Sequence, residues 1–474
     1  MNTYQSRYYQ YKNILLIISS IIFLAIQTFA YNVMYQSAFA NLRRFREFER
    51  GHLAILAIYA VILLVLLLLF SALKIGYMRN IDVLYSQAIS IGIVNAVSYL
   101  ILLLIGKKSF LDMTYLGPFL ILTVTQLALC IIWTMTTRFL YARIYPAYQI
   151  LLIYGDIDPK PLEEKVHSRF DRYQVRERIS LSEGMANIQH KVHDYDTVLI
   201  ADIPSHERNH IMKYCYWHDI RCYALPKVSD IMIKASDRID LFDTPLFLTR
   251  NVGLSVSQSF IKRLFDIVVS LLAIIITSPI MLVIAVAIKF EDKGNVFYKQ
   301  ERLTKGGKKF LIYKFRSMKA DSEKNGSRLY SSDDDRVTKT GRVIRRLHFD
   351  ELPQLFNILK GEMSVVGPRP ERDDICAKYT GIIPEFPFRL KMKAGLTGYA
   401  QVYGKYNTTP YDKLKLDLIY IENYSFWLDV KLCVFTIKIL FQKEKSEGVD
   451  AGQTTALNPD IYNNFPYSES YYDK

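Results

Sequence analysis

The stretch Leu53–Leu73, LAILAIYAVILLVLLLLFSAL, contains no charged side chain. A bilayer core about 30 Å thick requires about 20 apolar residues in a helix, so this stretch predicts a transmembrane helix. Three further apolar stretches also lack Asp, Glu, Lys and Arg: Ile14–Tyr35, Val83–Ile105 and Tyr115–Met135. The sequence therefore predicts a membrane α-helical bundle of four spans in residues 1–147.

The charges around these spans leave the orientation open but bear on the function. Four spans place the N-terminus and everything after Thr136 on one side, and each side has six nearby Lys and Arg residues. The positive-inside rule therefore gives no orientation. Spans without charged residues disfavour an ion-coupled transporter and favour a membrane anchor. The five scattered cysteines fit a reducing compartment.

The overall charge indicates an anionic partner. The chain has 474 residues, with 60 Lys and Arg against 46 Asp and Glu and a formal net charge of +14. Such a balance suggests nucleic acid, anionic lipid or a phosphorylated substrate. Because the chain is also rich in membrane segments, we expect lipid and phosphorylated substrates and no nucleic acid.

Residues 148–250 change to a pattern of alternating strands and helices. QILLIYGD, TVLIADIP and IRCYALP read as buried strands, with helical segments near Ser182–Val192 and His206–His218 between them. This alternation predicts a Rossmann-like α/β domain with a parallel sheet. The first turn offers only Gly155 where a dinucleotide site needs several glycines, so we expect no cofactor there.

A long apolar segment, Phe260–Phe290, precedes the polar C-terminal part. It has Lys262 and Arg263 at one end, Lys289 at the other and Ser278-Pro279 in the middle. Proline removes a helix hydrogen bond and kinks or breaks a helix. The segment is therefore either a kinked fifth span or a re-entrant membrane helix, and the basic flanks at both ends favour the latter.

The chemistry is concentrated after this segment. Two strand-like runs flank a Lys-Gly-Gly turn in Val296–Met318, and His348–Pro370 reads HFDELPQLFNILKGEMSVVGPRP. Six basic residues surround the acidic pair of that stretch in sequence: Lys314, Arg316, Arg342, Arg345, Arg346 and Arg369. Arginines bind phosphate in a bidentate manner. A basic face against anionic lipid is the alternative.

Asp350 and Glu351 form that acidic pair. Helical spacing of the apolar residues after them and a stop at Gly361 predict a short helix with Asp350 near its N-cap. A helix N-terminus also holds a carboxylate ionised and collects phosphate oxygens. Asp350 could then attack phosphorus and Glu351 could hold Mg²⁺. Spacing alone leaves capping and catalysis open.

Four motifs resemble the bacterial sugar transferases, the monotopic polyprenyl-phosphate phosphoglycosyl transferases. They are KRLFDIVVSLLAIIITSP, YKFRSM, DELPQLFNILKGEMSVVGPRPE and AGLTGYAQVYGK, between Ser257 and Lys438. The four spans and the Rossmann-like domain resemble the large members. The resemblance implies transfer of a sugar-1-phosphate from a UDP-sugar to undecaprenyl phosphate with release of UMP, which initiates exopolysaccharide, capsule or O-antigen synthesis.

The resemblance also implies roles for individual residues. It makes Asp350 the nucleophile that forms a phosphosugar intermediate, Glu351 the Mg²⁺ ligand and Ser278-Pro279 the break of the re-entrant helix. The substrate-binding residues expected near the phosphates and nucleotide are Lys314, Arg316, Arg345, Arg369, Pro370 and Lys405. Lys405 departs from the family, which has arginine there, and Ala394 replaces a proline.

The expected architecture follows. A mixed α/β catalytic domain with the re-entrant helix 260–290 occupies residues 251–444, and a polar, Tyr-rich tail occupies residues 445–474. Because UDP-sugars are cytosolic, the resemblance places the soluble domains and both termini in the cytoplasm, with the chain in the lipid of the bacterial inner membrane. A homodimer is left open. The alternative function is a non-catalytic scaffold or sensor of a polysaccharide assembly machine.

Overall fold

A computed structural model describes residues 12–39, 49–106, 113–249, 253–292, 294–318, 336–404 and 408–440. The chain divides into two compact units, Met1–Leu225 and Pro226–Lys474. The second unit begins earlier than residue 251, where the sequence places the start of the catalytic domain. The physical reason is a short helix, Val228–Lys234, whose Val228 and Ile231 side chains belong to the core of the second unit.

Each predicted apolar stretch of the first unit is confirmed as a helix. The four helices are α1 (Lys12–Phe39), α2 (Glu49–Leu69), α3 (Asn80–Gly106) and α4 (Met113–Ile144). The last residues of the stretch Leu53–Leu73 lie instead in a turn after α2. These four helices and a fifth in the second unit are long and apolar enough to cross a membrane, so the chain is a multi-pass membrane protein.

Uncharged polar side chains link the four helices in their interior. Tyr59 donates a hydrogen bond to Asn95 Oδ1 (3.0 Å), and Asn95 Nδ2 donates to Gln126 Oε1 (2.8 Å). Gln126 Nε2 in turn donates to the carbonyl of Gln27 (3.1 Å), which connects α4 to α1. Such bonds join membrane helices because a polar group in hydrocarbon otherwise lacks a partner. Sequence reasoning that considered only charged residues missed this network.

The rest of the first unit is a parallel sheet of four strands in the order β2-β1-β3-β4, which confirms the predicted α/β pattern. Its strands are β1 (Tyr148–Tyr154), β2 (Tyr173–Ser180), β3 (Thr197–Ile200) and β4 (Arg221–Ala224). The helices between them are α5 (Lys160–His167), α6 (Met185–Val192) and α7 (Ser205–Trp217). Strand β2 has no counterpart in the sequence prediction, because this edge strand alternates charged and apolar residues and is only partly buried.

The second unit contains the remaining elements. Its helices are α8 (Val228–Lys234), α9 (Val256–Asp292), α10 (Lys339–Arg346), α11 (Gln354–Lys360), α12 (Asp373–Thr380), α13 (Tyr399–Tyr403), α14 (Pro410–Glu422) and α15 (Phe426–Leu440). Its strands are β5 (Asp237–Leu241), β6 (Thr244–Leu248), β7 (Phe297–Leu303), β8 (Lys309–Phe315), β9 (Ser364–Val366) and β10 (Gly395–Thr397). The pairs β5–β6 and β7–β8 are antiparallel, and β9–β10 is parallel.

The β7–β8 hairpin confirms the strand–turn–strand prediction for Val296–Met318. Its tight turn contains Gly306 and Gly307, both with positive φ (69° and 72°), a conformation that glycine adopts without steric cost. The hairpin positions Lys314 near the end of β8. Leu303, Phe310 and Ile312 of this hairpin are buried in the main core of the second unit, so the strands that carry Lys314 are fixed by packing.

Helix α9 contains the long apolar segment. It runs from Val256 to Asp292 as one helix with Pro279 inside it, so the chain stays helical at Ser278-Pro279, where the sequence predicts a break. Proline still lacks the amide proton for its own helix bond. Most apolar side chains near the middle of α9 are exposed, including Leu272, Ile276 and Val283.

Candidate active site

Asp350 and Glu351 lie in a single 3₁₀ turn, Phe349–Glu351, that precedes α11. Helix α11 begins only at Gln354, and its N-cap is Pro353, with no side-chain cap bond. The interpretation of Asp350 as a helix cap is therefore wrong, because the turn and Pro353 separate the carboxylate from the helix. The predicted stop at Gly361 is confirmed: Gly361 has a left-handed conformation with φ of 86°.

Glu351 is held between two cations. Its Oε1 accepts hydrogen bonds from Lys314 Nζ (2.8 Å) and Arg369 Nη2 (2.9 Å). Burial acts to raise the pKa of this carboxyl, but Arg369 and Lys314 outweigh burial and hold the pKa well below its usual range. Glu351 is therefore ionised over the whole physiological pH range.

Asp350 has a different environment although it is the adjacent residue. Only 8% of its surface is exposed, and its carboxylate has no hydrogen-bond partner among the residues that the structure describes. Burial and the charge of Glu351 raise its pKa, while Lys314 and Arg345 act in the opposite direction. A carboxylate that is desolvated but not hydrogen-bonded keeps its lone pairs available for attack.

The loop Gly367–Glu371 presents Arg369 to Glu351. The backbone of each of its five residues forms a hydrogen bond with a neighbouring segment. The Gly367 amide donates to the Thr397 carbonyl, and the carbonyls of Pro368 and Glu371 accept from the amides of Gly395 and Leu303. The carbonyls of Arg369 and Pro370 accept from the guanidinium groups of Arg389 and Arg302. The backbone of this loop is therefore fixed before any ligand binds. Gly367 is required because a Cβ there would lie 2.3 Å from the Lys393 carbonyl oxygen.

A buried ion-pair network, formed by Arg389, Asp417, Glu371 and Lys413, holds the loop Gly367–Glu371 in place. Arg389 donates from Nε to Asp417 Oδ2 (2.9 Å), and its Nη2 lies 2.7 Å from the same oxygen. The two side chains are only 2% and 1% exposed. Arg389 also lies 3.5 Å from Glu371, which Lys413 contacts at 3.0 Å. Burial acts to raise the pKa of Glu371, but Lys413 and Arg389 lower it to about 2. Sequence reasoning did not identify this network, because its members are far apart in the chain.

The remaining predicted substrate-binding residues occupy different places. Arg345, near the end of α10, donates from Nε to Ser317 Oγ (2.8 Å). Its positive charge acts to lower the pKa of Asp350. The Arg316 guanidinium lies against Gly294, where a Cβ would come 2.1 Å from Nη1. The Pro370 carbonyl accepts a hydrogen bond from Arg302, so Pro370 helps to fix the backbone of the loop Gly367–Glu371. Lys405 lies outside the described residues.

The acidic pair also fits a hard divalent cation. Glu351 uses Oε1 for both basic partners, so no described residue bonds to its Oε2 or to the Asp350 carboxylate. Within the described residues, no group of three or more His, Cys, Asp or Glu side chains could hold a metal. Mg²⁺ matches this situation, because it commonly binds one or two carboxylates and takes its other ligands from substrate phosphates and water.

The second unit thus combines a long apolar helix with a site of paired carboxylates and guanidinium groups. Residues 257–443, which contain all of these groups, match the family described as Bacterial sugar transferase. The UDP-N-acetylgalactosamine-undecaprenyl-phosphate N-acetylgalactosaminephosphotransferase of Aeromonas hydrophila is 44% identical over 185 residues, 38% of this chain and 44% of that protein. The UDP-glucose:undecaprenyl-phosphate glucose-1-phosphate transferase of Klebsiella pneumoniae is 36% identical over 251 residues, 52% of each protein.

A shorter relative is covered almost completely. The uncharacterized sugar transferase EpsL of Bacillus subtilis (strain 168) is 40% identical over 184 residues, which are 39% of this chain and 89% of that protein. The chain therefore belongs to the bacterial sugar transferase family. It spans about half the length of the two larger relatives that it matches.

Proposed function

We propose that this protein transfers a sugar-1-phosphate from a UDP-sugar to undecaprenyl phosphate and releases UMP. The observation that supports this reaction most strongly is the contrast between the two adjacent carboxylates. Glu351 is held ionised between Lys314 and Arg369, whereas Asp350 is buried without a hydrogen-bond partner among the described residues. Two such groups with different environments suit different chemical roles. The names of the Aeromonas and Klebsiella relatives support the same reaction class.

In the first step an Oδ atom of ionised Asp350 attacks the β-phosphorus of the UDP-sugar. A bond forms between Asp350 and that phosphorus, the bond from phosphorus to the bridging oxygen breaks, and UMP leaves with the electron pair. Arg369 and Lys314, next to Glu351, are placed to neutralise the diphosphate, since guanidinium and ammonium groups stabilise charge on phosphate oxygens. Arg345 adds positive charge on the side of Asp350.

In the second step an oxygen of undecaprenyl phosphate attacks the phosphorus of the phosphosugar group. Asp350 leaves as a carboxylate, which regenerates the starting enzyme and gives undecaprenyl-diphosphate-sugar. The fixed backbone of Gly367–Glu371 keeps Arg369 in place during both steps, because each of its residues is tied to a neighbouring segment. This holding in place is the pre-organisation that phosphoryl transfer requires.

Incubation of the purified full chain with a panel of UDP-sugars and undecaprenyl phosphate tests this proposal and also finds the sugar. We expect UMP release with one or a few members of the panel, and the matching lipid-linked product. Absence of UMP release with every member would favour the alternative, a non-catalytic scaffold or sensor of a polysaccharide assembly machine.

We propose Mg²⁺ as the cofactor, with Glu351 as its protein ligand through Oε2. The bound ion would neutralise charge on the diphosphate. Chelation with EDTA should abolish UMP release, and added Mg²⁺ should restore it. Glu351→Gln should raise the Mg²⁺ concentration needed for half-maximal activity by at least about tenfold. Glu301→Gln, which removes an exposed carboxylate paired with Lys309, is the matched control and should behave as wild type. Full activity in chelator would contradict a metal role.

We further propose that α9 re-enters the membrane from the cytoplasmic side. Near its start, Lys262 Nζ donates to Asp429 Oδ2 (2.7 Å), and Asp266 accepts from the Val365 amide (2.8 Å). Near its end, Ile284 and Ile288 pack in one cluster with residues of β8 and α10. A straight helix of this length would be about 55 Å long, so a crossing helix would carry these two sets of contacts to opposite sides of the bilayer.

Labelling of single cysteines tests this topology. In a background without the five native cysteines, Ser257→Cys and Asn295→Cys should both react with an impermeant maleimide from the cytoplasmic face of sealed vesicles. Asn295 is preferable to Gly294, where a side chain would meet Arg316. Ile276→Cys, at an exposed apolar position of α9, should stay unlabelled from either face. Labelling of the two end positions from opposite faces would show that α9 crosses the membrane.

A further inference from the structure

The first unit contains a cavity that lies apart from all the predicted active-site residues in sequence. Its volume is about 120 Å³, below the roughly 300–1,000 Å³ of sites that enclose a drug-sized molecule, so it can take only a small group. Its walls come from the turn between α2 and α3, the end of α4 and the loop that precedes β2. The lining residues that matter here are Gly76, Arg138, Tyr141, Ala142, Asp171 and Arg172.

The walls of this cavity are fixed by specific contacts. Arg169, in the loop before β2, donates from Nη1 to the Tyr77 carbonyl oxygen (2.7 Å) and so ties that loop to the turn after α2. Gly76 in the same turn has φ of +75°, and a Cβ there would lie 2.4 Å from Tyr141 Cε1. The turn therefore packs directly on α4. The cavity exists before any ligand binds.

Two guanidinium groups give the cavity a positive character. Arg172 stacks on the ring of Tyr77, with its Cζ 4.4 Å from the ring centroid, and its buried Nε has no hydrogen-bond partner in the described part of the chain. Arg138 is 4.0 Å from Asp171, which Arg169 already contacts at 3.0 Å. The Asp171 carboxylate is thus shared between Arg138 and Arg169. The Nε of Arg172 needs an acceptor that the described residues do not supply.

The position of the cavity along α4 indicates what kind of molecule carries that acceptor. Arg138 and Tyr141 lie in the last turns of the candidate span Tyr115–Ile144, so two residues that line the cavity lie at one end of that span. Tyrosine and arginine accumulate at this depth, where the phosphates of lipid headgroups lie. A guanidinium group binds a phosphate through paired N–H donors.

We propose that this cavity is a binding site for a phosphate ester at the membrane surface, with Arg172 and Arg138 as its donors. Its depth favours a lipid headgroup as the carrier over a soluble phosphate. The site is independent of the proposed transfer reaction, because none of the groups that form it belongs to the second unit.

Thermal unfolding of the delipidated full chain in neutral detergent tests the proposal. We expect phosphatidylglycerol at saturating concentration to raise Tm by about 5 °C. Diacylglycerol with the same acyl chains should have no such effect. Inorganic phosphate is compared with chloride at equal ionic strength. A rise with phosphate alone that depends on Arg172 would support the site with a soluble carrier.

Variants assign the effect to the cavity. Arg172→Gln should remove most of the rise in Tm, and Ala142→Trp should do the same by filling the cavity while both guanidinium groups remain. Arg143→Gln is the matched control, because it removes one exposed charge from the same end of α4 outside the cavity. An equal rise in wild type and both cavity variants, an equal rise with diacylglycerol, or no rise in wild type would overturn the proposal.

Discussion

Replacement of Asp350 by asparagine is expected to reduce UMP release by about 10⁴-fold or more, as loss of a covalent nucleophile does in other enzymes. The asparagine side chain has the same size as that of aspartate, but its amide cannot attack phosphorus. The measurement is single-turnover UMP release with saturating UDP-sugar. Asp374→Asn, which neutralises an exposed carboxylate paired with Arg372, is the control and should retain full activity.

The same substitution should not destabilise the fold. Burial raises the pKa of Asp350 above its value in the unfolded chain, so at neutral pH ionisation of this carboxyl favours unfolding. Asparagine removes that charge, and Tm should therefore stay equal or rise. A fall in Tm together with lost activity would indicate a structural role, and wild-type turnover would remove Asp350 from the mechanism.

Replacement of Arg389 by glutamine should have the largest effect on stability. Asp417 would be left as a buried charge without its main partner, and breaking such a pair typically costs about 3–5 kcal/mol in the free energy of unfolding. Chemical denaturation of the purified variant measures this loss. The surface pair of Arg372 and Asp374 provides the matched control, and Arg372→Gln should cost at most about 1 kcal/mol.

A double variant separates stability from catalysis at this network. Arg389→Met combined with Asp417→Leu replaces both buried charges by apolar groups and should recover most of the lost stability. Activity should stay low, because the Arg369 carbonyl still lacks the donor that fixes the loop. A double variant with wild-type kcat would show that Arg389 contributes only to folding.

The elements that depend on local composition could be predicted from the sequence. The four apolar helices of the first unit follow from uncharged stretches of bilayer length, and the β7–β8 turn follows from Gly306-Gly307. The acidic pair was also recognisable, since Asp350-Glu351 stands out among many basic residues. Its local structure was not, because Pro353 delays the start of α11 and leaves the pair in a separate turn.

Features that depend on contacts between distant residues could not be predicted. Nothing near Arg389 in the sequence indicates that it binds Asp417 and the Arg369 carbonyl. The membrane network did have a signal, because Asn95 and Gln126 are polar residues inside apolar stretches. A search limited to charged residues passes over them.

Mass spectrometry of the full chain after incubation with UDP-sugar alone tests the central claim most directly. Without undecaprenyl phosphate the second step cannot proceed, so a phosphosugar adduct should accumulate. We expect one adduct per chain, located on Asp350 by peptide mapping, matched by one equivalent of UMP and absent from Asp350→Asn. Turnover of both substrates with no adduct, or an adduct on another residue, would contradict the account.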